Sequence, residues 1–181
     1  MTTLTPQAFV AKWRFVQLKE RSAYQEHFID LCRLVGQPAP AEADPAGINY
    51  AFEFGAIKQS GGQGFADVFK RGCFALEYKG KHADLDKAYQ QLLQYREALQ
   101  NPPLLIVCDI DRIIVHTNYT NTAKRVRTIT LDDILTAEGL RALKAIFESP
   151  DFFKSEQTTA QVTRQAAEEF ATLAELPLRL P

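Results

Sequence analysis

The chain has 181 residues, 46% of them hydrophobic and 24% charged, and its 21 basic residues are offset by 22 acidic ones to leave a formal charge of -1. A chain this long buries a core of its own, and the composition excludes collagen, wholesale disorder and a disulfide scaffold. A protein that held a polyanion by bulk charge would be far more basic, so any nucleic-acid contact has to come from a local patch or from another domain.

Cys32, Cys73 and Cys108 are odd in number and widely spaced, which fits neither a disulfide framework nor a zinc site, so reduced core cysteines are expected. The opening MTTLTPQAFVAKW lacks a basic segment followed by an apolar one. No apolar run approaches the ~20 residues needed to span a bilayer. A cytoplasmic protein without membrane contact is expected.

The first predicted element is a helix from Pro6 to Val35, with Thr5 as its cap. Phe9, Trp13, Val16, Ala23, His27, Leu31 and Leu34 recur along it at spacings of three and four. Gln37 to Gly47 is rich in Pro and Ala and reads as a loop. An apolar segment from Tyr50 to Ile57 leads to SGGQG (Ser60 to Gly64), a flexible turn that lacks the lysine of a phosphate-binding loop. Phe65 to Lys70 and Cys73 to Lys79 flank Arg71-Gly72 as a hairpin.

A helix is predicted from Asp84 to Leu99, stopped by Asn101-Pro102-Pro103. Leu104 to Asp109 reads as a buried strand, Arg112 to Asn118 as an alternating one, and Val126 to Thr130 as a third. Thr130 and Asp133 resemble a capping box ahead of a helix at Leu140 to Phe147. Thr158 to Leu176 is an amphipathic tail helix, and the closing LPLRLP reads as a cut end. This order predicts an α/β fold, a small mixed sheet flanked by helices with a C-terminal helical extension.

The chemistry concentrates at Asp67, Glu77 and Lys79. Glu77 and Lys79 are two apart on a strand and share a face, while Phe74, Ala75, Leu76 and Tyr78 around them are apolar or aromatic. Charge in such a strand needs compensation. The hairpin lets Asp67 reach the end that Glu77 occupies. Two carboxylates beside a lysine make a hard-metal site of the kind Mg²⁺ takes, suited to phosphodiester hydrolysis. A Glu-x-Lys arises by chance about 0.7 times in such a composition, and an exposed ion pair worth ~0–1 kcal/mol would explain the spacing equally. Against that, Gln91 and Tyr95 share a face of the following helix, and Glu20 lies on the apolar stripe of the first, where an acid needs a partner or a metal.

Asp67, Glu77-Tyr-Lys79 and Gln91-Leu-Leu-Gln-Tyr95 resemble the PD-(D/E)xK nuclease core with the Q-x-x-x-Y helix of its RecB-like branch. Ala66 stands where the motif's proline would be. Over Thr5 to Asp151 the chain resembles the N-terminal nuclease domain of MmeI-like restriction–modification enzymes, which join a nuclease to an adenine methyltransferase and a target-recognition domain. The resemblance implies a restriction-endonuclease-like core over residues 1–153, with 154–181 as the start of a helical spacer. It implies Asp67 and Glu77 as ligands of Mg²⁺ (or Mn²⁺ in its place), Lys79 as the catalytic lysine, Glu20 as the first-helix acid, and Gln91 and Tyr95 as supports.

Asn101-Pro102-Pro103-Leu104 lacks the aromatic of a methyltransferase tetrad, so S-adenosylmethionine would belong only to the parent chain's methyltransferase part. Double-stranded DNA is the implied partner, with a dimer for double-strand cleavage. Lys70, Arg71, Lys81, His82, Lys124, Arg125 and Arg127 are the candidate phosphate contacts, with a solvated basic loop as the plainer explanation of the last three. His27 and His116 are expected to be packed or hydrogen-bonded rather than ligands. A nuclease fold kept only for binding or scaffolding is the alternative reading.

Overall fold

The computed structural model describes residues 4–17, 20–57 and 63–174; most of the predicted SGGQG turn and the closing LPLRLP lie outside them. The N-terminal stripe forms two helices, which corrects the single helix expected from Pro6 to Val35. α1 (Pro6–Trp13) is capped by the Thr5 hydroxyl, which accepts the Ala8 N–H at 3.2 Å, and α2 spans Glu20–Val35. The chain turns after Trp13 and lays α1 back on α2. Lys12 Nζ meets Glu26 and Asp30 at 2.6 Å each, and Trp13 Nε1 donates to Asp30 at 3.2 Å. The reason is burial. Doubling back puts Phe9 and Trp13 in the core with their rings 5.3 and 4.9 Å from His27, whereas periodicity of three and four is equally satisfied by one helix or by two.

A short α3 (Pro40–Ala43) lies within the predicted loop. β1 (Tyr50–Ile57), β2 (Gln63–Lys70) and β3 (Phe74–Tyr78) follow, then α4 (Leu85–Tyr95), β4 (Leu104–Cys108), β5 (Arg112–Thr117) and β6 (Val126–Thr130). Thr130 and Asp133 form the reciprocal box, with the Thr130 N–H on Asp133 Oδ2 at 2.8 Å and the Asp133 N–H on Thr130 Oγ1 at 3.2 Å. The box opens a 3-10 turn (Asp133–Leu135); α5 (Ala137–Glu148) has its own cap in Thr136. Gly139 is required there, because a Cβ would lie 2.0 Å from the Asp133 carbonyl oxygen. α6 (Thr159–Ala174) follows a second 3-10 turn (Pro150–Phe153).

Among the described residues the six strands form one mixed sheet in sequential order, antiparallel except for the parallel β3–β4 pair. A parallel pair needs a crossover connection, and α4 supplies it. β4 reads LLIVC and is buried at every position, because both of its faces are covered. Leu104, Ile106 and Cys108 pack with Phe74, Leu76 and Tyr78 under α1, α2 and α5. Leu105 and Val107 pack with Ala75 under Leu85, Ala88, Leu92 and Tyr95 of α4. Cys32, Cys73 and Cys108 are free thiols, and no helix among the described residues is long and apolar enough to cross a membrane. This is the α/β architecture expected, with a mixed sheet between helical layers and a C-terminal helix.

His27 sits wholly inside the first layer, its Nδ1 2.7 Å from the Tyr78 hydroxyl. Burial lowers its pKa to about 3 against the attraction of Asp30. An unfolded chain protonates an ordinary histidine near pH 6.5, so below that the unfolded state takes a proton that the folded state refuses. Stability from His27 is therefore complete above pH ~6.5 and lost as pH falls toward about 3, at a slope approaching ~1.4 kcal/mol per unit. Urea unfolding at a series of pH values should show that His27→Gln flattens the acid-side slope by this amount; parallel slopes would mean that His27 does not carry it.

Candidate active site

At the closed end of the β2–β3 hairpin Gly72 takes φ 73, a left-handed position that side chains resist. The pairs Lys70↔Phe74, Phe69↔Ala75 and Val68↔Leu76 follow in register, and there the ladder stops. Asp67 and Glu77 stand next in line. At that point β1 and β2 change faces: Phe52 and Val68 pack under α2, while Phe54 and Ala66 pack under α4. The intervening Glu53 and Asp67 drop out of the β1–β2 register, and Glu53 takes φ 49. A left-handed non-glycine residue inside a strand is a local kink that re-aims its neighbours. Here the Asp67 carboxylate takes over where the ladder ends, its Oδ2 accepting the Tyr78 N–H at 2.6 Å.

Glu77 projects from β3 on the α4 side, in line with Ala75 and Lys79, and its side chain is only 5% exposed. Lys79 Nζ donates to Glu77 Oε1 at 2.6 Å, and Gln91 Nε2 to the same oxygen at 2.9 Å. The Tyr95 hydroxyl lies 3.1 Å from Oε2 and 3.0 Å from the Phe65 carbonyl. That one hydroxyl thus joins β2, β3 and α4. α4 can present both side chains because Asp84 caps it, accepting the Lys87 N–H at 3.2 Å, and because positions 91 and 95 are one turn apart. Burial, and then the charge of Glu77, push the Tyr95 phenol well above its ordinary range, so it stays a donor.

Tyr78, between the two charged residues, was expected only as an apolar neighbour. Strand alternation turns its ring to the other face, against His27 and 5.7 Å from the Tyr24 ring, while its N–H holds Asp67. β3 is therefore pinned from both sides. The one available sequence signal was the alternation itself, which sends Tyr78 away from Glu77 and Lys79.

The structure brings Asp67, Glu77, Lys79, Gln91 and Tyr95 to one end of the hairpin. Glu20 is the first residue of α2, and its side chain lies outside those described. Lys81 and His82 follow directly after Lys79; Lys81 Nζ bridges Asp111 at 2.8 Å and the Arg14 carbonyl at 3.3 Å. Lys70 and Arg71 occupy the opposite, closed end. Lys70 Nζ is turned onto the Phe147 carbonyl at 3.1 Å, and Arg71 bonds Gln100. Lys124 and Arg125 are exposed in the β5–β6 connection, and Arg127 on β6 pairs with Glu138 at 2.8 Å. Two strands lie between β3 and β6, which puts them three strand spacings apart, roughly 14 Å of sheet. His116 stacks on Tyr89 at 3.8 Å, apart from the cluster.

Among the described residues no group of three or more His, Cys, Asp or Glu side chains is placed to hold a metal ion. What remains is the pair Asp67 and Glu77, with Lys79 beside it. This set fits a hard divalent cation, since it offers carboxylate oxygens, no thiolate and no imidazole.

The chain matches a family model described as MmeI, N-terminal domain, over residues 2–176. It belongs to that family. No curated protein and no solved structure matches it. Membership makes this chain a region of a restriction–modification enzyme, which implies contact with DNA. In this domain the tie most open to test is the Tyr95 hydroxyl. Tyr95→Phe keeps the buried ring but leaves the Glu77 carboxylate short of a donor, a loss of ~1–3 kcal/mol. Urea denaturation should register a drop of that size, and an unchanged midpoint would show that the hydroxyl does not stabilise Glu77.

Proposed function

We propose that this chain is the metal-dependent DNA endonuclease domain of its parent restriction–modification enzyme, hydrolysing phosphodiester bonds of unmethylated double-stranded DNA. The observation that carries the reading is the Glu77 carboxylate, buried in the sheet yet held by Lys79, Gln91 and Tyr95, with Asp67 at the same end of the hairpin. An accidental surface ion pair needs no such support from a second element.

Asp67 and Glu77 would hold Mg²⁺ or Mn²⁺, which when bound lowers the pKa of water and offsets charge on the phosphate. The chain's own residues divide the remaining work. Gln91 and Tyr95 fix the Glu77 carboxyl in one orientation, so little reorganisation is needed during reaction. Lys79, with its side chain 26% exposed, turns an ammonium toward the phosphate side, where it orients the attacking water and stabilises the negative charge that builds on the phosphate oxygens. The Tyr78 N–H aims Asp67 by donating to it. Methylation, S-adenosylmethionine and recognition of the DNA sequence fall to the methyltransferase and target-recognition parts of the parent chain. A dimer would serve cleavage of both strands.

Calorimetric titration of Mn²⁺ should give binding to this chain and none to Asp67→Ala. No difference between the two would remove the metal site. In the parent enzyme Lys79→Ala should retain Mn²⁺ binding while cleavage falls by roughly 10²-fold or more; undiminished cleavage would overturn the assignment of Lys79.

A further inference from the structure

Phe15 is 81% exposed, the most exposed large apolar side chain among the described residues. A single exposed apolar residue is ordinary; the surroundings of this one are not. It stands in a cleft of about 650 Å³ whose other lining residues are Arg14, Gln17, Lys81, His82 and Asp111. The cleft adjoins the candidate site through the chain itself, since Lys81 is two residues and His82 three beyond Lys79. Two residues span at most ~7 Å, and DNA advances ~3.4 Å per base along each strand. A strand that runs from Lys79 toward Lys81 lays its next nucleotides over this cleft.

The walls are tied together in advance. Lys81 bridges Asp111 and the Arg14 carbonyl, and the Arg14 guanidinium is bonded to Asp132, so the turn after α1, the segment after β3 and the β4–β5 turn form one frame. Phe15 is held out of that frame with no ring beneath it among the aromatic contacts of the described residues. The core of a protein–protein interface is depleted of charge, whereas here the ring is surrounded by the Arg14 guanidinium paired with Asp132, the Lys81 ammonium paired with the Asp111 carboxylate, the His82 imidazole and the Gln17 carboxamide. That is the chemistry of a nucleotide: a flat apolar base, edges that hydrogen-bond and an anionic backbone.

We propose that Phe15 stacks on a base of the DNA next to the scissile phosphate, with Arg14, Gln17 and His82 along the backbone, so that the substrate at this site is DNA with an unpaired or unstacked base beside the cut. This rests on the endonuclease reading and adds the local form of the substrate. Fluorescence anisotropy of a fluorescein-labelled duplex with a single-stranded tail, in EDTA at low salt, reads it directly. Phe15→Ala should weaken binding roughly 5- to 100-fold, with its thermal midpoint unchanged. Phe15→Trp should bind like the parent, and so should Phe170→Ala, whose ring on α6 is 75% exposed.

Equal affinity of Phe15→Ala and the parent overturns the proposal and gives the ring to a protein neighbour. An equal loss in Phe170→Ala overturns it as non-specific adhesion, and absence of DNA binding by the unsubstituted chain overturns it as well. Mn²⁺ titration of Phe15→Ala separates the two readings: retained metal binding beside unchanged DNA binding is failure of the stacking proposal alone, whereas absence of metal binding in the parent is failure of the endonuclease reading.

Discussion

A carboxylate on the third strand of a sheet, packed beneath a helix, has to be compensated. Glu77 is in that position, and the local architecture follows from it. Replacing water around a buried carboxylate costs several kcal/mol unless donors of good geometry take its place. Lys79 alone would not suffice, because one ammonium reaches one oxygen. α4 supplies what is missing by placing Gln91 and Tyr95 a turn apart over the two carboxylate oxygens. The crossover that the parallel β3–β4 pair requires on topological grounds is thus also the element that satisfies Glu77. Moving α4 along the sheet by one turn would remove both donors while leaving its apolar face buried.

The second constraint lies on the other side of the hairpin. Regular pairing of β2 with β3 would spend the Tyr78 N–H on a backbone carbonyl and leave Asp67 as one more strand side chain. The kink at Glu53 and Asp67 ends that pairing and exchanges a ladder bond for a carboxylate–amide bond. The left-handed Glu53 carries a backbone cost of order 1–3 kcal/mol, and its carboxylate accepts from the Tyr24 hydroxyl at 3.0 Å, which helps to hold it. The same Tyr24 packs on Tyr78, so the kink and the pinned strand share a side chain. Strain, broken register and buried charge coincide at one end of one hairpin, which is where departures from regular structure belong when they serve a site.

Most of this was legible in the residues because it rests on short-range rules. The Glu77/Lys79 face is a period-two statement, the Gln91/Tyr95 face a one-turn statement, and the LLIVC strand announces burial on both sides. Asp67 came from hairpin arithmetic. What escaped was governed by contacts far apart in sequence. The division of the first helix escaped because a stripe of period three to four persists through α1 and α2 alike, and only packing on His27 and Asp30 decides that the chain doubles back. The role of Tyr78 escaped because its backbone N–H, rather than its side chain, does the work on Asp67. The kink at Glu53 escaped because nothing in FEF, a regular strand sequence, forecasts a positive φ. Lys70 illustrates the converse: counted among basic candidates by charge, it is turned inward onto the Phe147 carbonyl, with the Tyr50 and Phe147 rings beneath its ammonium.

The division of the first helix has a consequence for the surface. Had α1 continued unbroken through position 15, Phe15 would fall between Trp13 and Val16 on a helix committed to the core by its other apolar residues. The turn after Trp13 instead releases Arg14, Phe15 and Gln17 from helical spacing and sets them beside the segment that follows Lys79, where Lys81 fastens them through the Arg14 carbonyl. The net charge of -1 then ceases to be an obstacle to holding DNA. Long-range attraction by the whole chain is weak, but contact at a preorganised cleft depends on stacking and short-range hydrogen bonds, whose strength does not scale with net charge.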